Sequence, residues 1–260
     1  MSTNLKTGFT LAEVLITLGV IGVVSAMTLP ALIQKQQEKA VVTRVLKAYS
    51  LLNQAYTMTK QENGNFSSWF TSVSTGSVED EDGNKHLSDE FKTNQDIILS
   101  KFAPYLKNSA WCKTGDTSCK RYNDGDIHNM VGEVSAQTIE LNKQGYLKLA
   151  DGTILFSGYV YNIANCKGDK TYCGDFLIDI NGVEGKPNAY GKDIFAFYFT
   201  DELIRPMGDA YGPGGFPSRC SISSTVTSNG YDCTAWIIQN HNMDYLHCDD
   251  LSLTGKSKCK

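Results

Sequence analysis

The sequence predicts an α+β fold in which one long N-terminal helix packs on a small antiparallel sheet with disulfide-stapled loops. An apolar run over residues 9–29 opens the chain and continues as a helical pattern. Strand-like segments dominate after residue 140. All eight cysteines of the 260-residue chain lie beyond residue 110. An even, clustered set of cysteines favours a disulfide framework in an oxidising compartment.

The apolar run has the length of a membrane span. As a helix it extends about 31 Å at ~1.5 Å per residue, which matches a hydrocarbon core of about 30 Å. One interpretation of the run is a secretory signal peptide, with Lys6 as its charged region and cleavage after Ala26. A simple membrane anchor is another. Neither reading explains Glu13, since a carboxylate at mid-bilayer costs ~2.5–3.5 kcal/mol on insertion scales.

The first residues of the run account for this acid. The stretch GFTLAE, residues 8–13, resembles the processing site of type IV prepilins and type II secretion pseudopilins. In that family a prepilin peptidase cuts after the glycine and methylates the new N-terminus, which implies cleavage between Gly8 and Phe9. The resemblance implies that Glu13 pairs with the N-terminal amine of a neighbouring subunit's Phe9. It also places Pro30 where many members have a helix-bending proline.

The resemblance implies a structural subunit, a pilin or pseudopilin of a type IV pilus or type II secretion pseudopilus, and not an enzyme. Its partners would be other subunits, the prepilin peptidase and the inner-membrane assembly platform. It would span the bacterial inner membrane once, with the remainder in the periplasm or outside the cell. The flanking lysines do not establish that orientation, because Lys6 precedes the span while Lys35 and Lys39 follow it.

Several alternatives stay open at this point. The sequence does not distinguish secretion from adhesion, motility or DNA uptake, or a major from a minor subunit. The net charge of −4 gives no indication of nucleic-acid binding. A membrane-tethered or secreted disulfide-rich binding protein that forms no filament is the alternative function.

The predicted organisation follows from these patterns. Residues 1–8 form a leader, 9–30 a transmembrane and filament-core helix, 31–62 its amphipathic continuation, and 63–260 a globular domain. Apolar residues recur at helical spacing on one face of the continuation: Val42, Val45, Leu46, Tyr49, Leu52 and Tyr56.

The globular domain begins with a helical signal and continues with strands. Residues 63–65, Asn-Gly-Asn, suit a helix C-terminal cap, and residues 71–88 read as a polar loop. Ser88 suits the N-cap of a second helix that extends to about residue 106. A hairpin joins residues 146–149 to 153–156. Further strands are expected at 176–180 and 194–199, while 235–238 suits either a strand or a short helix.

The cysteines are expected to be structural. No C-x-x-C occurs, so a zinc site is the weaker reading. Locality along the chain predicts four disulfides, each between neighbouring cysteines: Cys112–Cys119, Cys166–Cys173, Cys220–Cys233 and Cys248–Cys259. The histidines, His86, His128, His241 and His247, are expected in surface or capping roles. G-x-S-x-G and H-E-x-x-H are both absent, so these enzyme signatures are not met.

One loop carries a candidate metal site. Hard oxygen ligands for calcium recur between residues 179 and 193, at Asp179, Asn181, Glu184, Asn188 and Asp193. The spacing excludes an EF-hand, whereas the loop resembles the acidic, glycine-bearing loop in which major pseudopilins hold calcium. The competing reading is a loop whose Asp, Asn, Pro and Gly residues only make turns.

Overall fold

The architecture was obtained as a computed structural model, which describes residues 10–72, 77–79, 85–135, 144–161 and 163–259. The chain divides into two compact units, one ending at Ala40 and one comprising Val41–Lys260. The predicted leader and the Gly8–Phe9 bond lie outside the described residues.

The described part of the first unit is one apolar helical segment, the beginning of helix α1 (Leu11–Asn63). All of its side chains from residue 11 to residue 37 are exposed. Among the described residues, α1 is the helix that is long and apolar enough to cross a membrane. Pro30, where the resemblance places a helix-bending proline, lies inside α1, and the helix continues through it.

The second unit starts with the amphipathic part of α1. The spacing of its apolar residues turns one face into the domain, as predicted, and the helix ends at Asn63. Gly64 follows with a φ of 76°, and its N–H donates to Lys60 O, so the predicted C-terminal cap is confirmed. The residues of this helix that are buried in the domain are Val42, Val45, Ala48, Leu52, Ala55, Tyr56 and Thr59.

Tyr56 occupies the centre of the aromatic core. Its ring stacks on Phe102 with 6.1 Å between ring centres and packs on Phe199 at 5.8 Å. Its hydroxyl donates to the carbonyl of Thr200 at 2.6 Å, so the one polar atom of the side chain is satisfied. The contacts fasten α1 to a strand that lies more than 140 positions along the chain.

Helix α2 (Asp89–Phe102) begins where the sequence predicts it. The Ser88 side chain accepts a hydrogen bond from the N–H of Phe91 at 3.1 Å, which is the geometry of an N-cap. The segment before it differs from the prediction. In place of a continuous polar loop, β1 (Ser77–Glu79) pairs antiparallel with β2 (Lys85–Leu87). The sequence between them contains Asp82-Gly83, a dipeptide that favours hairpin turns, and the prediction of a loop did not take this signal into account.

The centre of the second unit is an antiparallel sheet with six strands in the described part of the chain. The strands lie in chain order, so each pairs with the next. The predicted hairpin and both predicted central strands are confirmed, while the two edge strands were not predicted. The strands are β3 (Asn108–Cys112), β4 (Tyr146–Leu149), β5 (Ile154–Phe156), β6 (Gly174–Asp179), β7 (Ile194–Phe199) and β8 (Ile204–Pro206).

The sheet is buried on both faces. Phe195, Phe197 and Phe199 alternate along β7 and enter the core that contains α1. The intervening Ala196 and Tyr198 enter a second cluster under the loops on the other face. Because β7 is covered on both sides, it is apolar throughout and does not alternate with polar residues.

The C-terminal segment packs onto the same core. The ambiguous stretch at 235–238 belongs to helix α3 (Cys233–Asn240), which buries Trp236 and Ile237. Its C-cap, His241, has a φ of 55°, one of the capping roles expected for the histidines. The short 3-10 helices are Phe66–Trp69, Ala103–Tyr105, Ile163–Asn165 and Asp244–Leu246.

Candidate functional site

The first described residues show how Glu13 is held. Thr10 precedes α1, and its backbone N–H and its hydroxyl both donate to Glu13 Oε2 at 2.8 Å. The N–H of Glu13 donates in return to the Thr10 hydroxyl at 3.3 Å. This is a capping box, in which threonine and glutamate satisfy free N–H groups of the first turn. The carboxylate is exposed, and so are the apolar side chains that follow it.

The eight cysteines form four disulfides between the neighbours that locality predicts. The pairs are Cys112–Cys119, Cys166–Cys173, Cys220–Cys233 and Cys248–Cys259, with Cα–Cα distances of 5.1–5.9 Å. No cysteine of the described chain is free. The bridges close loops of 7–13 residues in sequence separation, so each stiffens a loop without joining distant elements.

The predicted calcium loop has two buried carboxylates at its ends. Asp179 closes β6, and its Oδ1 accepts the N–H groups of Asn181 (3.0 Å) and Gly182 (2.9 Å). Its Oδ2 accepts the Tyr122 hydroxyl at 2.5 Å. Asp193, just before β7, accepts the N–H groups of Asn188 and Ala189 and the side-chain amide of Asn181, the last at 3.2 Å. Asn181 therefore connects the two acids.

Burial dominates the electrostatics of this pair. The pKa of Asp179 is raised to about 6, chiefly by burial and also by the nearby charge of Asp193, against the hydrogen bonds from Tyr122 and the turn. Burial also raises the pKa of Asp193, against the hydrogen bonds from Ala189, Asn188 and Asn181. For Tyr122, burial and then the charge of Asp179 raise the pKa well above its ordinary value.

The structure brings only part of the predicted ligand set together. Glu184 is instead exposed and forms an ion pair with Lys120. The Asn188 side chain lies beside Gly185 O and Lys186 Nζ. The Asn181 Oδ1 atom is buried and accepts no hydrogen bond. Within the described residues, no group of three or more His, Cys, Asp or Glu side chains is placed to share a metal ion.

Sequence reasoning missed Tyr122, the side chain that fastens the loop to the rest of the domain. It lies 57 positions from Asp179 in the chain, and no local pattern connects the two. Tyr122 belongs to the second core cluster, in which its ring centre lies 5.9 Å from that of Phe156.

Two family models match the chain. The first, described as a family of unknown function (DUF6613), matches residues 31–212, and the second, the prokaryotic N-terminal methylation motif, matches residues 3–29. The second match confirms the resemblance of the first residues to type IV pilins and pseudopilins. Neither the curated proteins nor the solved structures contain a match to the chain.

Proposed function

Because this chain belongs to the family of unknown function DUF6613 and begins with a pilin-type methylation motif, we propose that it is a filament subunit, a pilin or pseudopilin. The subunit is held in the inner membrane by α1, cut after Gly8 by a prepilin peptidase, and assembled through α1 at an inner-membrane platform. Its second unit, Val41–Lys260, is then the part displayed on the filament.

The observation that carries the proposal is the motif joined to a helical segment, residues 11–37, whose apolar side chains all lie exposed. Leu15, Ile16 and Leu18, for example, are 61–67% exposed. So large an apolar surface requires a membrane or the helices of other subunits.

The placement of Glu13 favours assembly over simple anchoring. Both donors of Thr10 approach Oε2 of this carboxylate, which leaves Oε1 for the amine that cleavage creates on Phe9 of a neighbour. A lone anchor gains nothing from an acid at this position, since any apolar residue would insert more favourably.

Mass spectrometry of the N-terminal peptide tests the processing step. In cells with a prepilin peptidase, we expect a mature chain that starts at Phe9 and carries one methyl group on its amine. A mature chain starting at Met27 would instead establish the signal-peptide reading and exclude the filament.

Two matched substitutions separate assembly from anchoring. We expect Glu13→Val to insert into the membrane at least as well as the wild type but to release no filaments on shearing. Thr17→Val is the control, because it also removes a polar group from the span, one that bonds only to Val14 O within the described helix. Normal filaments from Glu13→Val, or equal loss in both variants, would contradict the proposed role of the acid.

A protein that is tethered by α1 and acts alone is the alternative. It shares the membrane fractionation of a pilin but neither the Phe9 methylation nor sedimentable filaments. Finding the wild-type chain only as single membrane-bound subunits in a strain with a working assembly machinery would favour this alternative.

Calcium binding at the loop of residues 179–193 is a second proposal. Asp179 and Asp193 are buried without a salt bridge in the described chain, and Asn181 Oδ1 has no hydrogen-bond donor. Two carboxylates and one amide oxygen suit a hard cation, with backbone carbonyls completing its shell.

Thermal unfolding of the full chain in detergent tests this site. We expect millimolar calcium to raise the midpoint relative to chelator, because the ion binds the folded state preferentially. Asp193→Asn should abolish the rise, whereas Glu184→Gln should retain it, since Glu184 pairs with Lys120. An unchanged wild-type midpoint would contradict calcium binding.

A further inference from the structure

A cluster of polar side chains lies where α2 meets the segment after β3. Gln95 and Asp96 occupy neighbouring positions of α2. Thr114 follows β3 and lies in the short loop that the disulfide Cys112–Cys119 closes. The Thr114 hydroxyl oxygen is 3.1 Å from Asp96 Oδ1 and 3.2 Å from Gln95 Oε1. A hydroxyl, a carboxylate and a carboxamide therefore meet within hydrogen-bond distance.

The carboxamide of Gln95 is buried and only partly satisfied. The side chain is fully buried, and its Nε2 atom, a donor, has no hydrogen-bond acceptor among the described residues. Buried amide donors are nearly always paired, because an unpaired donor loses its bonds to water without replacement. A reaction that releases this nitrogen as ammonia would remove the unpaired group.

The Thr114 hydroxyl is held beside a base. The N–H of Gly145, just before β4, donates to Thr114 Oγ1 at 3.0 Å, and the N–H of Thr114 donates to Asp96 Oδ1 at 3.2 Å. A Cβ at position 145 would lie 2.9 Å from Thr114 Oγ1, so glycine permits this close approach. A hydroxyl carries one proton, and when Asp96 accepts it, the lone pairs of the oxygen remain for the Gln95 carboxamide. A carboxylate in contact with a hydroxyl is the arrangement of a general base and the nucleophile that it activates.

We propose that Thr114 and Gln95 form an ester bond within the chain, through a reaction of the folded protein with itself. Asp96 takes the proton of the Thr114 hydroxyl, and Oγ1 attacks Cδ, the carboxamide carbon of Gln95. The C–N bond then breaks, the proton passes from Asp96 to Nε2, and ammonia leaves. One O–H bond and one C–N bond are exchanged for an ester C–O bond and an N–H bond of ammonia, so no oxidant, reductant or cofactor is consumed.

Proximity and burial favour this reaction over that of free side chains. Gln95 Oε1, which is bonded to the carbon under attack, already lies 3.2 Å from Thr114 Oγ1, so little orientational freedom is left to lose. The Gly145 N–H stabilises negative charge that develops on the attacking oxygen. Burial of the Gln95 side chain keeps away the water that would hydrolyse the ester.

The product is a covalent bond between α2 and the segment after β3. It joins residues that lie 19 positions apart, and none of the four disulfides joins these two elements. The bond forms whether or not the chain assembles into filaments.

Mass spectrometry of the purified full chain tests the ester. After reduction of the disulfides, we expect an intact mass about 17 Da, one ammonia, below that calculated for the polypeptide as processed at its N-terminus. Trypsin should release residues 93–101 joined to residues 114–120, and mild alkali should separate the two peptides and leave glutamate at position 95. An intact mass equal to the calculated one would overturn the ester. A loss of ammonia that maps to an Asn-Gly pair such as Asn181-Gly182 would also overturn it, because such pairs cyclise with the same loss.

Three substitutions separate the chemistry from packing. Thr114→Ser keeps a hydroxyl and should retain the linked peptide, whereas Thr114→Val should abolish it. Asp96→Asn keeps the size of the side chain and an oxygen that accepts hydrogen bonds, but an amide is not a base, so we expect the linked fraction at equal times after synthesis to fall at least tenfold. Wild-type linkage in Asp96→Asn would refute the role of Asp96 as the base, and a linked peptide that persists in Thr114→Val would refute the ester itself.

Discussion

The buried pair at the ends of the 179–193 loop predicts an inverted response to acid. Asp179 has a folded pKa of about 6 against an ordinary value of 3.8, because burial disfavours its charged form. A carboxyl group with a raised folded pKa binds protons more readily in the folded state. Its effect is therefore to increase stability as the pH falls through the window from about 6 to 3.8.

The magnitude follows from these two pKa values. For this one group, lowering the pH from 7 to 5 increases the free energy of unfolding by about 1.3 kcal/mol. In a domain of this size, 1 kcal/mol corresponds to about 2–4 °C in the midpoint, so we expect a rise of about 3–5 °C. The pKa of Asp193 is raised as well, so its contribution has the same sign.

Thermal unfolding followed by near-UV circular dichroism measures this rise. The full chain is held in detergent with chelator, so that cation binding does not oppose protonation. Asp179→Asn should melt higher than the wild type at pH 7 and lose most of the rise at pH 5. Its neutral amide keeps both contacts, since the oxygen accepts from the turn and the nitrogen donates to the Tyr122 oxygen.

Asp116→Asn is the matched control. Hydrogen bonds from Ser118 lower the pKa of the exposed Asp116, so this group stays ionised between pH 7 and 5 and contributes nothing to the rise. The reasoning is refuted by a wild-type midpoint that falls or stays constant from pH 7 to 5, with Asp179→Asn following the same curve.

Three further substitutions test the packing of the second unit, each by chemical denaturation of the full chain. Tyr56→Phe removes a buried hydrogen bond and leaves the Thr200 carbonyl unpaired, so it should cost about 1–2 kcal/mol; a neutral result would mean that water replaces the hydroxyl. Gly230→Ala should cost more than about 3 kcal/mol, because φ is 114° and the new Cβ would lie 2.3 Å from Tyr190 O; wild-type stability would contradict this backbone approach. Ser88→Ala should lower the free energy of unfolding by about 1 kcal/mol, because the N-cap is lost. Ser88→Asp should retain the N-cap and the stability.

Local signals account for most of what the sequence predicts correctly. The apolar period locates α1, Ser88 locates the start of α2, and Asp151-Gly152 locates the hairpin. Each of these signals lies within a few residues of the structure that it determines. The disulfide pairing belongs to the same class, because every bridge joins neighbouring cysteines.

Long-range contacts account for what the sequence does not reveal. The edge strands β3 and β8 are short and partly polar, and only pairing with β4 and β7 makes them strands. The hydrogen bonds from Tyr122 to Asp179 and from Ile204 to Asn53 each join segments that lie far apart in the chain. Local sequence patterns do not predict such long-range contacts, because the contacts depend on the order of the strands in the sheet.

In the second unit, the disulfides restrain individual loops, whereas aromatic packing and hydrogen bonds hold distant segments together. The four bridges close short loops. By restricting the unfolded chain, each adds about 2.5–3 kcal/mol to the free energy of unfolding. None of them joins α1 to the sheet, so that attachment depends on the aromatic packing around Tyr56 and on its bond to Thr200. The C-terminal segment beyond residue 212, outside both family models, is attached in the same way, since the Tyr245 hydroxyl donates to Gly191 O at 2.6 Å. Reduction of the disulfides should therefore loosen the surface loops first, while α1 stays packed on the sheet.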